Sequence, residues 1–237
     1  MTVDTQFPLI TAHTGCEGMP DNSMQSVLAA LQSGADVIEE DIRITGDGVL
    51  VCAHDDLIET PEGELSIAAS SYLQLGGLVR LEDFVARLKE AGKKINLDLK
   101  VDECIEAVSA FVRQYDLGDQ AFLSGCHSAR ALLVEQRAPE LKRLLNADAE
   151  LFRTSGYDEA VQTTIAQALA AGCFGININY RFVKPELIAA AAAAGLPVLV
   201  WTVQEAADMR RMIEWGVRSV TTCDVSKLVG IKAEWTA

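Results

Sequence analysis

The first residues lack the pattern of an export signal, and the sequence has no long apolar run. Its first ten residues, MTVDTQFPLI, have neither a basic start nor an extended hydrophobic stretch, so we expect no signal peptide. The alanine-rich run Ala189–Ala194 is far too short to span a bilayer. These absences predict a cytoplasmic protein without stable insertion into a membrane.

Paired cysteines of the kind that bind zinc or exchange disulfides are also missing. The six cysteines are scattered, and no Cys-x-x-Cys motif occurs. They stand at positions 16, 52, 104, 126, 173 and 223. Several lie within apolar runs, such as Cys52 in VLVCAH, and a chain of 237 residues needs no disulfide staples. We therefore expect buried free thiols in a reducing compartment.

Positive charge is scarce, because 20 Lys and Arg residues stand against 34 Asp and Glu residues, a net charge of −14. Such a surface repels nucleic acid and anionic membranes, which argues against both as partners. It repels small phosphate-bearing molecules as well. A protein of this charge that handles phosphate therefore needs a local positive element, such as a metal ion or a buried lysine.

What the sequence does contain is an alternation of short apolar runs and longer stretches with helical spacing. The strand candidates are Pro8–His13, Asp36–Ile44, Val49–His54, Lys94–Leu99, Gln120–Ser124, Leu141–Asn146, Phe174–Ile178, Leu196–Trp201 and Arg218–Thr221. Val49–His54 follows the turn Gly46-Asp47-Gly48, so it is either an added hairpin strand or a continuation of the second strand. Asn22 and Asp102 are candidate helix N-caps.

Glycine recurs at one place in this alternation. Six glycines follow a helical stretch and precede a strand, where a chain leaving a helix needs a positive φ. They are Gly34, Gly92, Gly118, Gly172, Gly195 and Gly216. Eight strand–helix units predict parallel strands in a (β/α)8 TIM barrel, formed by a single domain over residues 1–237. No glycine-rich nucleotide-binding motif favours an open sheet instead.

All three histidines, His13, His54 and His127, fall just past a strand candidate. In a parallel barrel the active site lies at the carboxyl ends of the strands. We therefore predict that His13 and His54 are functional, whereas for His127 substrate binding competes with a structural hydrogen bond. Trp201 also ends a strand candidate, where it either forms one wall of a substrate pocket or belongs to the core.

Two pairs of charged residues share strand faces. Glu39 and Asp41 point the same way, because side chains alternate along a strand. Carboxylates buried side by side are costly unless a cation neutralises them, and such oxygen ligands suit Mg²⁺ or Ca²⁺. Asp98 and Lys100 share a face in the same manner. Asp98 is placed to complete a metal site and Lys100 to hold a phosphate oxygen or a ligand carboxylate, unless the two form a plain ion pair.

Taken in order, these motifs resemble the glycerophosphodiester phosphodiesterase family from Ile10 to about Lys227. The segment TAHTGCEGMPDNSMQSVLAALQSGADVIEEDIRITGDGVLVCAHDD resembles the family's opening signature. In that signature His-Arg-Gly is followed by a Pro-Glu-Asn-Thr helix start, Gly-Ala-Asp, Glu-x-Asp, a Thr-x-Asp-Gly turn and His-Asp. INLDLK resembles the third-strand motif, and GLPVLVWTV with EWGVRSVTTCD resembles the last two strands.

The resemblance implies a TIM barrel that hydrolyses a small glycerophosphodiester to an alcohol and glycerol 3-phosphate. The matching residues are His13 and His54 as the acid/base pair, Glu39, Asp41 and Asp98 as ligands of Mg²⁺ or Ca²⁺, and Lys100 beside the phosphate. We expect the glycerol hydroxyl next to the phosphate to attack first, giving a cyclic phosphate that water then opens. Which histidine is the base stays open.

This chain departs from the family pattern at several positions. Thr14 stands where the signature has arginine, and threonine cannot grip a phosphate with two parallel hydrogen bonds. Asp21 replaces the glutamate before the asparagine, and Asp98 replaces a glutamate ligand. The segment between His54 and Leu81 is also short. With Thr14 at the substrate, these departures predict a changed diester rather than a lost activity.

Two alternatives of other classes compete with this interpretation. The first is a catalytically weakened barrel that binds a phosphorylated ligand without turnover, which the missing arginine motivates. The second is another TIM-barrel enzyme. An amidohydrolase needs His-x-His where this chain has Ala12-His13-Thr14. A Schiff-base aldolase needs a lysine such as Lys100, which the neighbouring Asp98 keeps charged. Assembly into a homo-oligomer is left open.

Overall fold

The apolar runs of the sequence form the strands of one large sheet, and helices follow them. The computed structural model describes residues 6–60 and 63–235. The strands are β1 (Leu9–Ala12), β2 (Val37–Ile44), β3 (Leu50–Cys52), β4 (Leu57–Thr60), β5 (Gly63–Ser66), β6 (Lys94–Leu99), β7 (Ala121–Ser124), β8 (Leu144–Asn146), β9 (Gly175–Asn179), β10 (Val198–Trp201) and β11 (Ser219–Thr222). The predicted single domain includes residues 1–5, 61–62 and 236–237, which lie outside the described residues.

Ten α-helices lie within the described ranges, together with three 3-10 turns at Cys16–Gly18, Leu81–Asp83 and Tyr180–Phe182. The helices are α1 (Met24–Gln32), α2 (Tyr72–Leu75), α3 (Val85–Glu90), α4 (Cys104–Gln114), α5 (Ser128–Arg137), α6 (Ala149–Thr154), α7 (Tyr157–Ala170), α8 (Pro185–Ala193), α9 (Ala206–Trp215) and α10 (Val225–Trp235). In the part of the chain described, none of them has the length and apolar character needed to cross a membrane.

Eight parallel strands are nearly closed into a barrel, as predicted. The order of hydrogen-bonded neighbours is β7, β6, β2, β1, β11, β10, β9 and β8. The two end strands approach each other at a single parallel bridge between Leu123 and Arg143, where the Leu123 amide donates to the Lys142 carbonyl at 2.8 Å. Parallel strands joined by helices bring all their carboxyl ends to one rim of the barrel.

The predicted strand Val49–His54 is an added hairpin strand. Within it, β3 pairs antiparallel with β2, with Ile42 opposite Cys52 and Ile44 opposite Leu50. The small antiparallel pair β4–β5 follows it and was not predicted. Its strands are short and half exposed, so they lack the apolar run that marked the barrel strands.

The interior of the barrel changes from apolar to polar along four of its strands. Val37, Phe122, Leu144 and Leu199, from four different strands, form a small apolar cluster. Two residues further along the same strands stand Glu39, Ser124, Asn146 and Trp201, which line a cavity. Because side chains alternate faces with a period of two, each of these four strands places an apolar residue at the base of the barrel and a polar or aromatic one at its rim.

Helix ends match most of the predicted glycines, but both predicted N-caps are wrong; Glu103, not Asp102, precedes α4. Five of the six predicted glycines have positive φ, and all six cysteines are free, with only Cys223 partly exposed. Gly118 was predicted wrongly, because Asp116 adopts the left-handed conformation (φ 52°) after α4. Asn22 is not the N-cap of α1 either. Ser23 caps that helix by accepting from the Ser26 amide, which leaves the Asn22 side chain free for another contact.

Candidate active site

The carboxyl ends of the barrel strands surround a cavity of about 690 Å³. Eight of the nine site residues predicted from the sequence line this cavity. They are His13, Glu39, Asp41, His54, Asp98, Lys100, His127 and Trp201. The ninth, Thr14, is buried behind the β1 end and is 1% exposed. Strand ends and strand alternation thus predicted residues that share one cavity, whereas the direction of the Thr14 side chain was not visible in the sequence.

Three carboxylates converge on one side of the cavity. Asp41 and Asp98 stand opposite each other in the parallel register of β2 and β6. Glu39 lies two residues before Asp41 on β2, opposite Asn96. One oxygen from each of the three side chains lies within 4.8 Å of the others. Glu39 and Asp41 are buried. Clustered, buried carboxylates repel each other, so this arrangement suits a cation with hard oxygen ligands such as Mg²⁺ or Ca²⁺.

Lys100 contacts two members of the carboxylate cluster. Its ammonium lies 2.7 Å from Asp41 Oδ1 and 2.5 Å from Asp98 Oδ2. Burial favours the neutral amine, but the charges of Asp98 and Asp41 outweigh it and raise the pKa of Lys100. The lysine therefore carries a fixed positive charge at the cavity wall. The Asp98–Lys100 ion pair considered from the sequence is present, and Lys100 forms a second ion pair with Asp41.

Glu39 is held in an environment that disfavours its charge. Burial, the largest effect, and the charges of Asp98 and Asp41 raise its pKa from 4.5 to about 7, although His13 and Lys100 oppose the shift. The Thr14 amide donates to Glu39 Oε2 at 3.3 Å, and His13 Nε2 lies 3.9 Å from that oxygen. A cation at the cluster would compensate this cost, which supports the fit of these residues to a metal.

His13 is fixed in one orientation at the end of β1. Its Nδ1–H donates to the Thr14 carbonyl at 2.7 Å, so Nε2 faces the carboxylates. Burial opposes protonation. Hydrogen bonding with Cys223, the charge of Glu39 and the Thr14 carbonyl outweigh it, so the pKa of His13 rises from 6.5 to about 10. The hydrogen bond with His13 is also the main reason why the pKa of Cys223 is lowered.

The other two histidines are more exposed. The His54 side chain is 67% exposed, and its Nδ1 lies 2.9 Å from Asp55 Oδ1. Such a carboxylate neighbour orients the ring and leaves Nε2 available for a substrate. His127 precedes α5 at the cavity rim without capping that helix through its side chain. Among the described residues, all three histidines thus border the same cavity.

Several polar contacts of the site were missed in the sequence. Asn22 Nδ2 donates to Asp41 Oδ2 at 2.9 Å, and the Asp41 amide donates back to Asn22 Oδ1 at 3.3 Å. Ser124 donates to Asp98 Oδ1 at 2.5 Å. Asn22 was predicted as a helix cap, although its place in the Pro-Asp-Asn motif was a signal for a role in the site. Ser124 ends a strand candidate, and that position alone was the available signal.

Two further polar groups line the cavity without a strong sequence signal. Asn96 lies below Asp98 on the same strand face, and its buried Oδ1 has no hydrogen-bond partner in residues 6–60 and 63–235. Arg130 Nη1 donates to the carbonyls of Leu99 and Gly125, and its Nε donates to Asp102. Arg130 is therefore committed to the loops of the rim and is not available as a replacement for the arginine missing at position 14.

This layout places the chain among the α/β-barrel enzymes, and comparison with known proteins identifies the group. The model of the glycerophosphoryl diester phosphodiesterase family matches residues 13–227. The chain belongs to this family of phosphoric diester hydrolases, in agreement with the resemblance of its motifs.

Relatives match along most of their length. A glycerophosphodiester phosphodiesterase of Caldanaerobacter subterraneus is 26% identical, over 94% of this chain and 97% of that protein. The crystal structure of a glycerophosphoryl diester phosphodiesterase from Silicibacter pomeroyi superposes with a TM-score of 0.81 at 23% identity, covering 97% of this chain and 94% of that one. A phosphodiesterase of Oleispira antarctica, solved with the product sn-glycerol-3-phosphate, has a TM-score of 0.76 at 22% identity, with coverages of 96% and 97%. These structures confirm the barrel fold.

We expect metal binding to weaken as the pH falls below about 7. Glu39 must be ionised to act as a ligand, and its pKa is raised to about 7. A proton and a metal then compete for Glu39, so the apparent affinity falls by up to about tenfold for each pH unit below that value. Calorimetric titration with Mg²⁺ or Ca²⁺ at pH 6 and pH 8, in buffers of different ionisation enthalpy, measures both affinity and proton release. An affinity equal at the two pH values would contradict the role of Glu39.

Proposed function

We propose that the chain is a single-domain, metal-dependent phosphodiesterase that hydrolyses a glycerophosphodiester, or a related small diester, to an alcohol and a phosphomonoester such as glycerol 3-phosphate. The observation that carries the proposal is the convergence of three carboxylates, a charged lysine and two histidines on one cavity. The family membership supports the same reaction class. Buried free thiols agree with action in a reducing, cytoplasmic compartment.

The carboxylates and the lysine supply the electrostatics of the proposed site. Glu39, Asp41 and Asp98 would hold a divalent cation, Mg²⁺ or Ca²⁺, whose charge neutralises the phosphate. Lys100 adds a fixed ammonium beside two of these ligands, where it would hold a phosphate oxygen. This local positive charge would offset the long-range repulsion between an anionic substrate and a chain of net charge −14.

The two histidines His13 and His54 have different roles in proton transfer, one as the general acid and the other as the general base. His13 is held with Nε2 towards the cluster and favours its protonated form, so we assign it as the general acid that protonates the leaving alkoxide. His54, exposed and oriented by Asp55, acts as the base towards the attacking oxygen. The glycerol hydroxyl next to the phosphate attacks first, and water then opens the resulting cyclic phosphate. His127 and Trp201 line the same cavity, where they would contact the alcohol group of the diester.

The first test is release of phosphomonoester from a panel of glycerophosphodiesters and sugar phosphodiesters, with Mg²⁺, Ca²⁺ or EDTA. We expect turnover that requires the metal and is lost on chelation. Glu39→Gln provides the inactive control, whereas Glu150→Gln, an exposed carboxylate of the same cavity, provides the matched active one. Absence of turnover on every diester, with metal binding demonstrated by calorimetry, would instead support a barrel that only binds a phosphorylated ligand.

A further inference from the structure

A second acidic residue of β2 lies behind the site rather than in it. Glu40 stands between Glu39 and Asp41, so its side chain points to the opposite face of the strand, the one shared with Ile38 and Ile42. That face packs in the apolar layer between the barrel and its helices. Glu40 is 0% exposed. A carboxylic acid in such a layer needs a reason, since burial of a polar group without full hydrogen bonding is unfavourable.

The Glu40 carboxyl is only half satisfied. Its Oε2 accepts a hydrogen bond from the Thr14 hydroxyl at 2.8 Å. Its Oε1 has no hydrogen-bond partner among the residues that the structure describes. An apolar side chain of similar volume would fill this space equally well, so packing alone does not explain a carboxyl group here. The one polar contact that it makes is with Thr14.

Thr14 in turn contacts the site through each of its polar groups. Its carbonyl accepts from His13 Nδ1 at 2.7 Å, and its amide donates to Glu39 Oε2 at 3.3 Å. Its hydroxyl, while donating to Glu40, accepts from the Asn22 amide at 2.6 Å. The Asn22 side chain then donates to Asp41 at 2.9 Å. A shift of Thr14 would therefore move the proposed acid and two proposed metal ligands together.

We propose that the buried Glu40–Thr14 hydrogen bond is a positioning device, which holds His13 and the carboxylate cluster in register from behind the strand. Thr14 then acts on the reaction through His13, Glu39 and Asn22, and does not touch the phosphate. The effect on turnover rests on the proposed phosphodiesterase function, whereas the geometry it describes does not.

Replacement of Glu40 by two side chains of similar size tests the hydrogen bond. Glu40→Gln keeps an oxygen that accepts from Thr14, and Glu40→Met fills the same space without an acceptor. We expect Glu40→Met to lower kcat by about 10–100-fold, the range found when partners behind a metal ligand are removed. With saturating metal, KM stays close to the wild-type value, because His13 moves a proton and does not bind the ground state. Glu40→Gln retains kcat. Both variants are assayed well below their melting temperatures, because Glu40→Met leaves the buried Thr14 hydroxyl without its acceptor.

A second pair of variants removes the other partner. Thr14→Val deletes the hydroxyl and lowers kcat and metal affinity together, while Thr14→Ser retains both. Thr164→Val is the matched control, because Thr164 is equally buried but bonds to the Ala160 carbonyl within α7, away from the cavity. This comparison separates loss of a buried hydroxyl from loss of this particular contact.

Two readouts stay informative without any turnover. The Nδ1–H resonance of His13 reports the hydrogen bond to Thr14, and calorimetry with Mg²⁺ or Ca²⁺ reports the cluster. Should the wild type hydrolyse no diester, the proposed function fails while these two measurements still test the inference. The inference is overturned if Glu40→Met leaves kcat and the His13 resonance as in the wild type. It is overturned equally if Glu40→Gln and Glu40→Met lose activity alike, since the acceptor would then be irrelevant.

Discussion

Removal of His13 should slow the hydrolysis of alkyl phosphodiesters by about 10²–10⁴-fold, the usual contribution of a positioned acid or base. An alkoxide is a poor leaving group and needs a proton, which His13 is proposed to donate from Nε2. A p-nitrophenyl ester of glycerol phosphate keeps the attacking hydroxyl but expels a stable anion that needs no proton, so His13→Ala should lose far less activity on it. The ratio of kcat/KM for the two esters, measured with saturating metal, isolates the proton transfer from binding.

His54→Ala is the matched comparison for that experiment. His54 is proposed to take a proton from the attacking oxygen, a step that both esters share, so its removal should slow both to a similar degree. If His13→Ala slowed both esters alike and His54→Ala only the alkyl diester, the acid and base roles would have to be exchanged. If both variants lost kcat/KM to the same degree on both esters, the assignment of separate acid and base roles to His13 and His54 would be contradicted.

The parts of the site predicted most directly are those that depend on strand alternation. Glu39, Asp41, Asp98 and Lys100 were recognised because a period of two puts residues i and i+2 on one face, and the parallel register of β2 and β6 brings the two pairs together. This inference needs only the positions of the strands. The ion pair between Lys100 and Asp41 depends in addition on the register of β2 and β6. These segments lie more than fifty residues apart along the chain, so neither segment alone predicts this contact.

The parts that were missed depend on loops and on the layer behind the strands. Thr14 follows β1 in a turn, and its hydroxyl points away from the cavity to Glu40. Local sequence does not determine such a direction, because it depends on how the chain turns through Gly15, which has φ 75°. A cap-type residue such as Asn22 fits either a helix start or a bond to Asp41, and only the packing of α1 against β2 selects between them.

Conversion of Glu39 to glutamine should weaken metal binding but stabilise the metal-free protein. Both effects follow from the loss of the carboxylate charge. Loss of a charged ligand should lower the affinity for Mg²⁺ or Ca²⁺ by more than about 100-fold, since loss of partners behind a ligand already costs 10–100-fold. Turnover should fall with it. The amide keeps the shape of the side chain, so the effect is electrostatic. Calorimetry and the diester assay measure these losses, with Glu150→Gln as the control that retains both.

The stability of the metal-free Glu39→Gln variant has a defined pH dependence. The pKa of Glu39 is about 7 in the folded chain against an ordinary 4.5, so between these values the folded state binds more protons than the unfolded one. Wild-type stability therefore falls as the pH rises through this window, and glutamine avoids that loss. At pH 8 the melting temperature of the variant should exceed that of the wild type, at about 2–4 °C per kcal/mol for a chain of this size. At pH 4.5 the two should melt together. A variant less stable than the wild type at pH 8 would show that the Glu39 charge is already compensated without a metal, and the need for a cation at this cluster would lose its physical basis.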